Sequence, residues 1–194
     1  MNLIYDNIIF SLQRAGGVSL YWYELISRLN RTDYITSYYG KKNNNIFAND
    51  LGLDTKLETK IPAKIQRYLP FLKKVPSYSI FHSSYYRLSF QKDIINITTV
   101  HDFTYEKYRR GFSQIIHSWQ KGLAIRHSDG IICVSENTKK DLLCYYPNIR
   151  EKNIIVILPS HLHQYICSKI NNRKIYDNYY NDHSLCFGLC SYCS

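Results

Sequence analysis

The chain has 194 residues, 45% of them hydrophobic, and a formal charge of +10 at neutral pH. That apolar fraction excludes a disordered chain, the length suits one domain of moderate size with a proper core, and the charge points to anionic partners: nucleic acid, lipid headgroups or phosphorylated ligands. No apolar run approaches the roughly 18–20 residues of a membrane span, and Asp6 breaks the short N-terminal apolar stretch, so no signal peptide is expected; the expectation is a cytoplasmic protein whose six cysteines are thiols.

Taken in order, residues 3–5 begin a first strand, followed by a loop through Gly16 and Gly17. Residues 18–29 form a helix by pattern: Val18, Trp22, Leu25, Ile26 and Leu29 fall on one face, with Glu24 and Arg28 outside it. A second strand spans 34–39, and the Asn-rich stretch 41–55 reads as a loop. Residues 56–76 alternate Lys56, Lys60, Lys64, Arg67, Lys73 and Lys74 with Ile61, Ile65, Leu69, Phe71 and Leu72, interrupted by three prolines. We read them as a solvated surface loop with one short helix; the sharper alternative is a patch that meets anionic lipid.

Short strands follow at 78–82 and 94–100, the second rich in β-branched residues. A helix spans 113–127, with Ile115, Ile116, Trp119 and Leu123 assigned to its buried side. The stretch 129–143 is the most informative. Ile131, Ile132, Cys133 and Val134 form a continuous apolar run that suits a parallel strand covered on both faces. Ser135 stands where a helix N-cap belongs, Glu136 falls in the first turn, and Pro147 stops the helix. A last strand lies at 153–158. Strands alternating with helices predict an α/β, Rossmann-like, doubly wound and mostly parallel sheet. After position 158 the periodicity fades, and 159–194 reads as an irregular tail holding Cys167, Cys186, Cys190 and Cys193.

In such folds ligands bind beyond the carboxyl ends of the strands. Gly16 and Gly17 precede a helix, where backbone N–H groups are unpaired and glycine permits close approach of a phosphate. An ordinary strand-to-helix turn would look the same. His101 and Asp102 follow a strand end, where an imidazole can face a cleft, and Asp102 can orient it; a histidine held by a carbonyl is the plainer account, and it also covers His82. Ser135 is a helix cap and a candidate wall of the site. The C-x3-C-x2-C spacing of Cys186, Cys190 and Cys193 is that of radical SAM iron–sulfur sites, but the chain stops one residue later, leaving nothing to build a barrel. A structural zinc with His183 as fourth ligand matches no common finger, so reduced thiols and no metal are expected there. No G-x-G-x-x-G occurs, so no nicotinamide cofactor is expected.

Four phrases then carry a resemblance: IYDNIIFSLQRAGGVSLYWYEL, FHSSYYR, TVHDFTYE and ICVSENTKKDLL. In that order they resemble bacterial GT-B glycosyltransferases of family 4, mannosyltransferase-like and akin to capsule or lipopolysaccharide enzymes. The resemblance covers position 1 to about 158 and matches the N-terminal, acceptor-side domain. It implies that the loop of Gly16, Gly17 and Val18 meets the donor diphosphate or the acceptor, that His101 contacts the donor sugar, and that no divalent metal or other cofactor is needed. The family's second domain holds most of the donor site, including two glutamates eight positions apart. No two glutamates of this sequence have that spacing. The expectation is therefore a truncated product: residues 1–158 as the acceptor-side domain, 159–194 as a tail read in an altered frame, and negligible transfer by the chain alone.

The expected partners are a nucleotide sugar, held weakly, and a saccharide or lipid-linked acceptor for surface polysaccharide synthesis at the inner face of the membrane. The alternatives are a basic nucleic-acid-binding module or a peripheral membrane-binding module. Charge supports the first alternative, but no helix-turn-helix, RRM signature or zinc finger is present, so a nucleic-acid partner is not expected.

Overall fold

The computed structural model of the chain describes residues 2–29, 35–41, 43–108, 110–149 and 153–157. Its strands are β1 (Asn2–Asp6), β2 (Ile35–Tyr39), β3 (Thr55–Lys56), β4 (Ser79–Ser83), β5 (Ile94–Val100), β6 (Gly130–Cys133) and β7 (Ile154–Val156). They form one sheet in the order β3-β2-β1-β4-β5-β6-β7, and every pairing is parallel. The register runs from Ile4 opposite Phe81, through Phe81 opposite Asn96, to Val100 opposite Cys133. This is a Rossmann-like, doubly wound sheet. Its strand order reverses at β1, which has β2 on one side and β4 on the other, and that reversal opens a crevice at the carboxyl ends.

The helices are α1 (Ile8–Leu12), α2 (Gly17–Leu29), α3 (Ile46–Leu51), α4 (Ala63–Gln66), α5 (Thr104–Tyr108), α6 (Phe112–His127) and α7 (Glu136–Tyr145). α2 lays Trp22, Leu25, Ile26 and Leu29 into the core, and the Trp22 indole N–H donates to Asn7 Oδ1 at 2.7 Å. At α7 the Ser135 hydroxyl accepts from the Thr138 N–H at 3.1 Å, the capping its sequence predicts. One core cluster gathers Val100, Phe103, Ile125, Ile131, Cys133, Leu142 and Ile154; another gathers Ile4, Tyr39, Phe71, Val75 and Phe81.

Three expectations are corrected. The loop before Gly16 contains α1, whose five residues are too few to show a helical period. The stretch 41–55 is not all loop. Asn45 caps α3, with its Oδ1 accepting from the N–H groups of Phe47 (2.9 Å) and Ala48 (3.1 Å), and Gly52 ends the helix at a φ of 57°. The third correction concerns α6. Ile115 and Trp119 are exposed, at 64% and 59%, while Gln120, Lys121, Ala124 and Ile125 are buried; Ile116 and Leu123 lie between. The physical reason is Lys121, whose ammonium reaches Glu106 Oε2 and the Asp102 carbonyl, both at 2.8 Å. A fully partnered lysine turns the polar side of the helix inward.

The described residues all belong to one compact unit, Met1–Ile157. The expectations for 159–194, including its cysteines, and for Tyr34 in the second strand lie outside the described residues. Of the described cysteines, Cys133 is a buried free thiol and Cys144 an exposed one. Among the described residues no helix is long and apolar enough to cross a membrane.

Candidate functional site

The end of β1 and the end of β4 are tied together at the crevice. The Ser84 backbone N–H and hydroxyl both donate to the Asp6 carbonyl, at 2.9 and 2.7 Å, and the same hydroxyl accepts from the Ile9 N–H at 3.0 Å. Below it, the fully buried Arg87 guanidinium bridges Asp6 Oδ2 at 2.8 Å and Glu58 Oε1 at 2.9 Å, while Ser83 donates to the same Asp6 oxygen. This clamp fixes three chain segments that are far apart in sequence.

Above the clamp lies a cavity of about 280 Å³. α1 contributes Ile9 and Leu12, the turn after it Gln13, the first turn of α2 Val18, and the segment after β4 contributes Ser84, Tyr85 and Tyr86. The end of β5 adds Thr99, His101 and Asp102; Tyr105 of α5, His117 of α6 and Arg67 after α4 complete the lining. The cavity thus sits at the reversal of strand order, where doubly wound sheets bind ligands.

His101 meets the edge of the Tyr21 ring at 5.0 Å. Burial pushes its imidazole down to about 4, against the opposing pull of Asp102, so it is neutral near pH 7. The Asp102 carboxylate accepts from the Thr104 N–H at 3.0 Å, at the start of α5, and acts on His101 through its charge. Lys121 holds the Asp102 carbonyl, and the Thr138 hydroxyl donates to the His101 carbonyl at 3.1 Å, so the backbone around His101 is held from two sides. His82, by contrast, is a core residue. Its Nε2 bonds the Thr99 hydroxyl at 2.9 Å, its ring lies 4.8 Å from that of Trp22, and burial pushes it down to about 3.

Of the residues singled out in the sequence, Val18, His101 and Asp102 line the cavity. Gly16, Gly17 and Ser135 belong to connections at the same carboxyl edge, outside that lining. At Gly16 a Cβ would come within 2.8 Å of Gln13 Oε1, so the glycine makes room for the Gln13 carboxamide. A Cβ at Gly17 would meet open space. Ser135 acts one step removed, capping the helix whose Thr138 holds the His101 carbonyl. Among the described residues no three His, Cys, Asp or Glu side chains gather as metal ligands would.

The model of Glycosyltransferase Family 4 matches residues 15–159. The chain belongs to glycosyltransferase family 4. The sheet of this family 4 domain is accordingly the Rossmann-like half of a GT-B fold, with a sugar donor and a sugar acceptor as the general partners of its family. No curated protein matches the chain.

Within the glycosyltransferase domain, sequence reasoning missed most of the cavity wall. Tyr85 and Tyr86 stood inside the family-like phrase FHSSYYR without a role. The Tyr86 hydroxyl bonds the backbone of His101, and burial raises its pKa. Arg67 was one cation of a basic stretch, and His117 one polar residue of a helix whose orientation was misread. The Tyr105 and His117 rings, both in the cavity lining, stack on each other at 4.0 Å with 17° between their planes. Nothing local to either residue announces that pairing.

Proposed function

We propose that residues 1–158 are the acceptor-side domain of a glycosyltransferase that moves a sugar from a nucleotide-sugar donor to a saccharide or lipid-linked acceptor in surface polysaccharide synthesis. The observation that carries this reading is the cavity at the strand-order reversal, lined by His101 and Val18 and lying, apart from Ile9, Leu12 and Gln13, within the family-matched region. In this reading the acceptor occupies the cavity. His101, neutral and fixed, offers its imidazole to the sugar being transferred, and Asp102 biases its charge. The Gly16–Gly17–Val18 turn opens α2 towards the donor diphosphate, and Ser135 steadies the wall through Thr138. Holding of the donor ribose and sugar is assigned to a donor-binding half, since the sequence has no glutamates eight positions apart, and the cations that neutralise the leaving diphosphate are assigned to the same half. The chain alone is then an acceptor binder with negligible transfer.

Ligand-detected NMR with a panel of mono- and disaccharides tests this. Binding is expected for the wild-type chain and lost in Val18→Trp, which fills the cavity. A chain that ignores every saccharide at millimolar concentration, or that turns over a nucleotide sugar robustly on its own, contradicts the proposal.

The segment 56–76 supports a peripheral contact with the inner membrane face. Ile65, Tyr68 and Leu72 are exposed beside the exposed Lys60, Lys64, Lys73 and Lys74, and Arg67 of the same segment turns into the cavity. Flotation with liposomes containing anionic phospholipid should weaken when those four lysines become glutamine. Equal flotation of both proteins would remove this contact.

A further inference from the structure

Four residues from distant parts of the chain that line this cavity each carry a buried polar atom with no hydrogen-bond partner among the described residues: Gln13 Oε1, Arg67 Nε, Tyr85 Oη and His117 Nδ1. Most buried polar groups in native proteins are partnered, so four unpartnered ones carried by the lining of one cavity point to the polarity of the ligand it would take. Their chemistry is specific. Arg67 Nε is a cationic donor, and Tyr85 and His117 can each donate. Gln13 Oε1 only accepts, so the ligand must also carry a hydroxyl or another donor.

The charge balance is equally specific. The buried cations nearby are matched: Arg87 by Asp6 and Glu58, Lys121 by Glu106. Among the described residues no carboxylate ion-pairs with Arg67. Its guanidinium lies 4.2 Å from the centre of the Tyr85 ring and 5.2 Å from that of Tyr68, held between aromatic faces. His117 beside it is pushed down to about 4 by burial and by the positive charge of Lys121, so it meets a ligand as a neutral hydrogen-bonding ring. Asp102 is the one carboxylate in the lining, and its oxygen is engaged at Thr104.

We propose that the cavity selects an oxyanion-bearing glycoside, with the anionic group on Arg67, Tyr85 and His117, a sugar hydroxyl on Gln13, and the sugar ring beside the stacked Tyr105–His117 pair. The inference rests on reading the cavity as an acceptor site and names the class of acceptor. Phosphate and carboxylate share the required chemistry, and both are tested.

The experiment is isothermal titration of the purified chain with glucose 1-phosphate, methyl glucuronide, neutral methyl glucoside and inorganic phosphate. At least one anionic sugar should bind about tenfold or more tightly than methyl glucoside, the scale of a charged hydrogen bond. Arg67→Gln should abolish the preference for anionic sugars over methyl glucoside measured in the same variant. Tyr85→Phe, which removes only a hydroxyl, should weaken the anionic sugars several-fold, and it keeps the test alive if Arg67→Gln fails to fold. Equal binding of neutral and anionic sugars overturns this inference and leaves the acceptor reading standing. Loss of every sugar, neutral included, overturns the acceptor reading itself. Inorganic phosphate binding as tightly as the sugar phosphate overturns the sugar-recognising half, leaving a bare anion site.

Discussion

Helices α2 and α6 both carry an apolar stripe at helical spacing, yet the protein treats the two stripes oppositely. In α2 Trp22 and Ile26 are fully enclosed; in α6 Phe112 is 77% exposed, with Ile115 and Trp119 beside it, while Lys121 is fully enclosed. The difference lies in what each helix must hold. α2 buries no charged side chain: besides its apolar residues it encloses the Ser19 and Tyr21 hydroxyls and one indole N–H, with Ser19 donating to the Gly16 carbonyl and Trp22 to Asn7. α6 carries a lysine and a histidine that have work on the inner side: Lys121 ties Glu106 and the Asp102 carbonyl, and His117 stacks on Tyr105 in the cavity wall. An apolar stripe marks the buried face when nothing polar competes for it, and a fully partnered polar cluster can outweigh it.

The largest effect expected from this contrast is in α2. Trp22→Ala should lose about 3–5 kcal/mol of unfolding free energy, because it empties a core site and strands the Asn7 side chain. Urea titration followed by far-UV circular dichroism measures it, and a loss below about 1 kcal/mol would mean that α2 does not anchor the core. Next comes Lys121→Leu in α6, expected to cost about 3 kcal/mol by leaving Glu106 buried without its partner. Adding Glu106→Leu should recover most of that loss, since an apolar pair can replace a buried ion pair. If the double variant is no more stable than Lys121→Leu, the inward turn of α6 has another cause. The smallest effect is at the exposed stripe: Trp119→Ser should change stability by no more than about 0.5 kcal/mol. A cost above about 1.5 kcal/mol in the same titration would put Trp119 in a packed interior, and the contrast between the helices would disappear.

How far the sequence reaches can be judged from single residues. Ser135 was legible as a cap because its role depends only on the next three residues, and β5 was legible in the β-branched run of Ile94–Val100. Asn45 was not, although it caps α3 in the same way, because it ends a run of asparagines and begins a helix of six residues. The misread face of α6 shows the limit of periodicity: Lys121 looks like a solvent residue until Glu106, fifteen positions away, is known to face it. The cavity lies beyond local reading altogether. Gln13, Arg67, Tyr85 and His117 are spread over more than half of the chain, and only the folding of four connections onto one sheet edge makes them neighbours.

Taken by itself, the amino-acid order determined the class of this protein: short apolar or β-branched runs alternating with helical patterns of period 3.6 point to a parallel α/β sheet, and four phrases within it place the chain in its family. The order of strands, the inward face of α6 and the convergence of unpartnered polar groups on one cavity were decided only in three dimensions. The reason is the range of the forces involved. Caps and propensities act over a few residues, while a buried charge chooses its position by partners that the chain delivers from far away.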